Sequence, residues 1–417
     1  MPDRNKSIVF KPGRIGHLQI RNRLIRSSTF EHAATEGGEV SETLMDIHRH
    51  LARGGIGLIM TGITWIHPRL KAPPMMIRAD DDAFIPGLRR LTQAVHETAP
   101  DCKIMLQLHH PGRQVVLPED RARMAAVRSR AYIAYVRKHP DVAATAQETP
   151  HVLEPIAPSA IRDELFDRIP RAVTPEEIEE MAEAFAEGVR RAQEAGFDGC
   201  QLHGAHGWLL SSFLSPRTNQ RGDLYGGSTE NRTRIVREIH QRARKKVGDR
   251  FPILIKFNTT DFLPGGTDLP EAIRVGKMLS EAGFDALEAS GGMWEAVTRS
   301  QEELGWPPVL LPESRTGIRT PDQEAYFLSA ARALKENTQA TIIAVGGFRS
   351  FNRVEEALAS GAADFVSLSR PLVRQPDLPW RWYSGETDKA SCISCNACLP
   401  IGHAPLACRA DAGAVSN

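Results

Sequence analysis

Short apolar or β-branched runs recur along the chain, and each is followed by a stretch whose apolar residues return at helical spacing. Eight runs read as strands: Leu24–Thr29, Ile56–Thr61, Lys103–Leu108, Gly199–His203, Ile253–Asn258, Ala286–Ser290, Thr341–Val345 and Phe365–Ser369. Between them lie helical stretches such as Thr174–Ala195, where Thr174 and Glu177 have the spacing of a capping box. Gly196 then ends that helix, and Phe197-Asp198-Gly199 leads into a buried strand. The same joint returns as Ala282-Gly283-Phe284-Asp285 and as Gly361-Ala362-Ala363-Asp364. Strands alternating with helices predict a parallel sheet. Eight such units, with no early Gly-x-Gly-x-x-Gly, favour a closed (β/α)8 TIM barrel over an open dinucleotide fold.

Two segments depart from that rhythm. From Pro111 to about Pro170 the chain makes an excursion too long for a plain loop. Arg121, Arg123, Arg128, Arg130, Arg137 and Lys138 lie in it, with Tyr132 and Tyr135 between them. It reads either as a solvated helix or as a lid over an anionic substrate or NAD(P)H. The second departure is a short C-terminal tail, in which four of the six cysteines fall within the last 26 residues: Cys392, Cys395, Cys398 and Cys408. The expected organisation is a barrel over 1–380, interrupted by the 111–170 insertion, and a cysteine-rich extension over 381–417.

Composition narrows the function classes. The 417 residues carry 52 Lys and Arg against 51 Asp and Glu, a net charge of +1. That balance gives no reason to expect nucleic-acid or membrane-surface binding. No apolar run reaches the ~18–20 residues of a membrane span. The start, Met1-Pro2-Asp3-Arg4-Asn5-Lys6, is polar with no apolar core after it, so a cytoplasmic protein is expected. In that compartment clustered thiols read as a metal site before they read as disulfides.

Barrel enzymes carry their chemistry where strands end and the following loops begin. The third strand ends in Gln107-Leu108-His109-His110-Pro111-Gly112-Arg113, the fourth in His203-Gly204-Ala205-His206-Gly207-Trp208, and the fifth in Lys256-Phe257-Asn258. The seventh and eighth lead into Gly346-Gly347 and Ser369-Arg370, a recurrent place for a phosphate. His203 and His206 suit two hydrogen bonds to one oxygen that gains negative charge. They could also bind a metal, although no third ligand stands at obvious spacing.

At these residues the sequence resembles the Old Yellow Enzyme family of flavin oxidoreductases. The resemblance is carried by His203 through Arg217 and by Tyr225 through Arg232. Phe10–Gly16, Asn22-Arg23, Gln107 through Arg113, Ala157-Pro158-Ser159 and Val345-Gly346-Gly347 support it. It implies a TIM barrel holding FMN, with Ser27, Ser28 and Thr29 against the flavin ring, Gly62 approaching it and Gln107 on its pyrimidine edge. Lys256 stands where the family usually has Arg, near the N1–C2 carbonyl, and acts there as a point charge. Gly346, Gly347, Ser369 and Arg370 would cradle the phosphate, while His203 and His206 would bind a substrate carbonyl. Arg217, Asp223, Tyr225, Asn231 and Arg232 read as scaffold.

The resemblance implies ping-pong hydride transfer from NAD(P)H through FMN to a small α,β-unsaturated carbonyl compound, in an enzyme expected to be a homo-oligomer. Two features depart from the simple enzymes. The family's usual proton donor is a Tyr at position 208, and an indole N–H is no usable acid near neutral pH. Water, Tyr132 or Tyr135 would then supply the proton, and Trp208 would shape the pocket. Cys392-x2-Cys395-Asn-x-Cys398 followed by Cys408 resembles the iron–sulfur loop of the 2,4-dienoyl-CoA reductase and trimethylamine dehydrogenase branch. A [4Fe–4S] cluster, a structural zinc and unligated thiols all remain open. The chain ends at Asn417, so no FAD- and NAD(P)-binding half is expected within it, and a cluster's electrons would pass to a separate protein. The alternative activity is an oxidative amine dehydrogenase or N-demethylase that feeds such a carrier. Relatives of that type tend to carry Tyr at position 203, so His203 favours carbonyl binding.

Overall fold

A computed structural model describes residues 4–67, 72–139, 153–399 and 404–410. A hairpin of β1 (Gly13–Ile15) and β2 (Leu18–Ile20) precedes the first barrel strand, β3 (Leu24–Arg26). Then follow β4 (Leu58–Trp65) and β5 (Lys103–His109). A small parallel pair, β6 (Ile156–Ala157) and β7 (Arg171–Ala172), closes the base of the insertion. The barrel resumes with β8 (Gly199–Gly204), β9 (Ile253–Asn258), β10 (Ala286–Ser290), β11 (Thr341–Ala344) and β12 (Phe365–Leu368). The eight barrel strands pair in parallel, and β12 returns to β3 to close the cylinder. This is the expected (β/α)8 barrel.

Strand positions alternate between two buried faces. Leu24, Ile59, Ile104, Leu106, Ile253, Ile255, Leu287, Ile342 and Val366 pack outward under the helices. Ile25, Leu58, Met60, Met105, Leu254, Ala286, Ile343 and Phe365 fill the interior, joined from below by Ile15 and Ile20 of the hairpin. The hairpin therefore plugs the N-terminal end, and the open end is the one where strands finish. Burial on both faces explains why the strands read as continuous apolar runs.

The repeated joint fixes strand register. Asp198, Asp285 and Asp364 each donate a backbone amide to Ile104, Ile253 and Ile342 on the strand before. Each carboxylate then accepts that same residue's N–H, at 2.9, 2.8 and 2.8 Å. The helix Pro175–Glu194 opens with the expected capping box of Thr174 and Glu177.

The ends of the strands differ a little from the sequence reading. The first strand stops at Arg26 because that guanidinium bonds the Ser27 carbonyl and the Thr29 hydroxyl, turning the chain into the barrel mouth. The second runs to Trp65, since a bulge between Met60 and Ile63 absorbs one register shift and lets pairing with β5 resume. The insertion has structure of its own, with helices Arg121–Ala126 and Arg130–Lys138, while 140–152 lie outside the described residues. No helix among the described residues is long and apolar enough to cross a membrane.

Candidate active site

Two residues beyond the interior apolar layer, the same inward-facing positions turn polar. Ser27 follows Ile25, Gln107 follows Met105, Lys256 follows Leu254, Glu288 follows Ala286 and Ser367 follows Phe365. They form one buried network. Ser28 donates to Gln107 (2.7 Å), Gln107 to Gln201 (2.7 Å) and Gln201 to Glu288 (2.8 Å). Ser27 and Ser367 also donate to Glu288, at 3.0 and 2.6 Å. Lys256 Nζ donates to Ser27 Oγ (2.9 Å) and lies 3.3 Å from Glu288 Oε1. Gln201, Glu288 and Ser367 were not singled out from sequence; no motif marks them, and they join the ring through the register of the barrel strands.

Another step along the strands stand His109, His203, Asn258 and Ser290, all buried. His203 and His206 meet nearly edge-on, with ring centroids 5.1 Å apart and planes at 84°. His109 lies 5.5 Å from His203, centroid to centroid. Burial holds His203 and His206 well below the ordinary histidine range, and Lys256 adds to this for both. Burial alone brings His109 down to about 3. The rings are therefore neutral at physiological pH, and neutral imidazoles can still donate hydrogen bonds to a developing oxyanion. His203 Nδ1 is buried without a hydrogen-bond partner.

The backbone around His206 is held in an uncommon conformation. His206 has φ +64° and Gly207 φ +82°, the left-handed region where non-glycine residues are rare. Asn258 Oδ1 accepts the His206 amide (2.9 Å) and Gln114 donates to its carbonyl (2.7 Å). The φ of Gly207 favours glycine, and a Cβ there would also displace the Gln114 amide that holds the His206 carbonyl. The ring itself meets Ser290 Oγ through Nε2 (2.7 Å).

Trp208 occupies the position before the helix Leu209–Leu214 and stands edge-on to both His109 (4.6 Å) and Trp294 (4.8 Å). It is one wall of an aromatic pocket beside the histidines. Tyr132 and Tyr135 ride on Arg130–Lys138, a helix that packs on the cysteine tail. Its N-cap Ser129 donates to the Cys395 carbonyl (2.8 Å), and Arg409 lies over the Tyr135 ring (5.6 Å).

The phosphate-site candidates meet at the adjoining mouth of β11 and β12. Gly346 and Gly347 have φ +118° and +73°, and Tyr326 packs so closely on both that a Cβ would overlap its ring. Ser369 bonds Thr29 (2.8 Å). Arg370 donates to the Arg315 carbonyl (2.9 Å) and to Asn396 Oδ1 (2.6 Å), linking this mouth to the tail. Gly62 sits on the bulge of β4, with the Glu31 carboxylate against its Cα. The signature residues make a latch beside the mouth: Arg217 pairs with Glu164 (2.6 Å), Arg232 with Glu271, and Tyr225 donates to Glu238 (3.0 Å).

Cys392, Cys395, Cys398 and Cys408 line one small cavity with Arg370, Arg374 and Asn396. Burial pushes the Cys398 thiol up to about 11, against the pull of Arg370, and the three other thiols push it the same way. Among the described residues no three His, Cys, Asp or Glu side chains converge closely enough to hold a single metal ion.

A polar ring thus crowns the open end of a closed parallel barrel, with a buried cation and a histidine pair in it and a Gly-Gly/Arg mouth beside it. The sequence model of the NADH:flavin oxidoreductase / NADH oxidase family matches residues 8–389, and the chain belongs to that family. It is 35% identical over 390 residues to the NADH oxidase of Thermoanaerobacter brockii, covering 93% of this chain and 52% of that protein. A 2-naphthoyl-CoA reductase complex superposes with a TM-score of 0.77 at 25% identity, over 96% of this chain and 56% of that one. The Old Yellow Enzyme homologue from Zymomonas mobilis has the same fold, with a TM-score of 0.67 at 24% identity over 92% and 95% of the two chains. The chain thus spans about half the length of the first two. The family implies FMN and NAD(P)H, and the residues present fit that nucleotide: a buried cation, an amide and hydroxyls in one ring, an unpartnered His203 Nδ1 above it, and a glycine-arginine mouth beside it.

Proposed function

We propose that this enzyme reduces α,β-unsaturated carbonyl compounds at the expense of NAD(P)H. The observation that supports it is the pair of buried, neutral imidazoles of His203 and His206 above the Lys256 layer. FMN, when bound, supplies the two-electron relay between the two substrates. Ser27, Ser28, Thr29, Gly62 and Gln107 would line its ring, and Lys256 would set a fixed positive charge beside it. Gly346, Gly347, Ser369 and Arg370 would hold its phosphate. His203 and His206 hydrogen-bond the substrate's carbonyl oxygen and draw electron density from the conjugated double bond. Trp208, with His109 and Trp294, shapes the pocket wall and keeps water from the reacting carbon.

We assign Cys392, Cys395, Cys398 and Cys408 to a [4Fe–4S] cluster. The Cys-x2-Cys-x2-Cys spacing of the first three and the cavity that all four line support this. Arg370 touches both the cysteine loop and the phosphate mouth, so the two centres would be neighbours. That adjacency favours a second reading, in which electrons from an amine substrate leave through the cluster to a separate carrier protein. Anaerobic titration tests the choice. NADH or NADPH should bleach the flavin and 2-cyclohexenone should restore its colour. Bleaching by methylated amines instead, with no response to the enone, would reject the first reading for the second.

A further inference from the structure

We propose that Glu313 is the acid that protonates the reduced substrate, the role that the indole of Trp208 cannot fill. The proposal rests on the ene-reductase reading and adds its proton donor. Glu313 lies between β10 and β11, far in sequence from the histidines, on a segment fastened over the barrel mouth at several points. Pro312 packs on Gly292, where a Cβ would stand 2.4 Å from the proline ring. Tyr326 donates its hydroxyl to the Glu313 carbonyl (2.5 Å), and Arg370 donates to the carbonyls of Ser314 and Arg315 (3.4 and 2.9 Å). The Arg315 guanidinium lies over the Trp306 and Tyr326 rings, at 4.5 and 4.4 Å.

This anchoring aims the carboxyl at the histidine pair. Glu313 Oε1 stands 4.0 Å from His206 Nδ1, the ring nitrogen that the Ser290 contact leaves over. That is too long for a hydrogen bond. Oε2 is buried with no hydrogen-bond partner, so the carboxyl has a free oxygen inside the site. The charged and titratable groups that face it are His206 from the loop after β8, Lys256 from β9, Tyr326 ahead of β11 and Arg370 after β12. Burial raises the Glu313 carboxyl to about 7, with Lys256 and Arg370 pulling the other way. A carboxylic acid poised there is partly protonated at neutral pH, which a general acid requires and an indole N–H cannot provide.

The step balances without a further reagent. Hydride, ultimately from NAD(P)H, forms the new C–H bond at Cβ. The Cα=Cβ pair shifts toward the carbonyl, whose oxygen is held by the imidazoles. The O–H bond of Glu313 then breaks as the Cα–H bond forms, and the carboxylate takes a proton back from water.

The test compares flavin-loaded wild type, E313Q and E313D in rapid-mixing reoxidation by 2-cyclohexenone across pH 5–9. Wild-type reoxidation should slow above pH ~7. E313Q should be slower by about 100-fold and lack that limb, and E313D should recover part of the rate. Titration with 4-chlorophenol, followed by its charge-transfer band, reads the same carboxyl without turnover. Phenolate should bind E313Q more tightly than wild type above pH 7, because a neighbouring carboxylate is gone. An E313Q enzyme with wild-type rate and pH dependence would overturn the proposal while leaving the ene-reductase reading intact. Wild type that NAD(P)H bleaches but no enone reoxidises would overturn that reading, and this step with it.

Discussion

Lys256 and Glu288 are direct partners across β9 and β10, and their charges meet 3.3 Å apart in the buried layer beneath the histidines. A cation next to a flavin favours its anionic reduced form, and a carboxylate beside that cation opposes it. Glu288→Gln keeps the shape of the network and removes the negative charge. Its flavin midpoint potential should rise by roughly 30 mV, the two-electron equivalent of about 1.4 kcal/mol. Lys256→Met should lower it. Spectroelectrochemical titration reads both, and shifts of the same sign would refute the opposed roles.

The histidine pair should bind ligands without holding the nucleotide. The His203→Ala, His206→Ala double variant should stay yellow and lose phenol binding, followed by the charge-transfer band. Undiminished phenol affinity would place the carbonyl site elsewhere.

The left-handed turn at His206 and Gly207 should be intolerant of a side chain. Gly207→Ala pays about 1–2 kcal/mol for its φ and must also displace Gln114 from the His206 carbonyl. Phenol affinity should drop at least about tenfold, the equivalent of 1.4 kcal/mol. Equilibrium titration of the purified variant is the check.

A cluster in the tail would also tie down the insertion. Ser129 caps the helix Arg130–Lys138 and bonds the Cys395 carbonyl, so the helix and the cysteine loop share an anchor. Cys395→Ser should lower the iron content and abolish the broad brown absorbance. Chelation of wild type under oxidising conditions should speed proteolytic cleavage near the insertion. Full-length protein without iron, with an unaltered spectrum on substitution, would refute the cluster.

Acid should weaken the fold through His240. Burial brings this ring down from 6.5 to about 4, with Arg244 adding to the effect, and Nε2 meets the Gly283 carbonyl at 3.1 Å. A depressed folded-state pKa contributes stability that is present above pH 6.5 and lost as pH falls toward 4. Between pH 7 and pH 4, wild type should lose up to roughly 3 kcal/mol more than His240→Gln. Urea unfolding at stepped pH measures it, and parallel losses would assign the acid sensitivity to other groups.

Much of the molecule was legible along the chain because its signals are local. The joint Gly-Phe-Asp and its Gly-Ala-Ala-Asp variant place a carboxylate where the preceding strand begins, and Asp198, Asp285 and Asp364 all act there. His203 and His206 lie three residues apart at one strand end, so a single loop brings them together. Glu288 and Gln201 escaped notice because an isolated Glu or Gln in an apolar run carries no pattern of its own. They become intelligible only when six strands are aligned in register and their inward positions compared.

The sequence by itself determined the eight-stranded cylinder, the end at which chemistry would sit, the imidazole pair and the crowding of four thiols. Those follow from periodicity and short spacings, which survive in one dimension. Tertiary structure decided what stands opposite them: Glu313 near His206, Glu288 beside Lys256, and the insertion helix against Cys395, where the sequence left a solvated helix and a lid both open. Each of these contacts joins segments separated by tens or hundreds of residues. Closure of the barrel and docking of its loops set such distances, and no local rule encodes them.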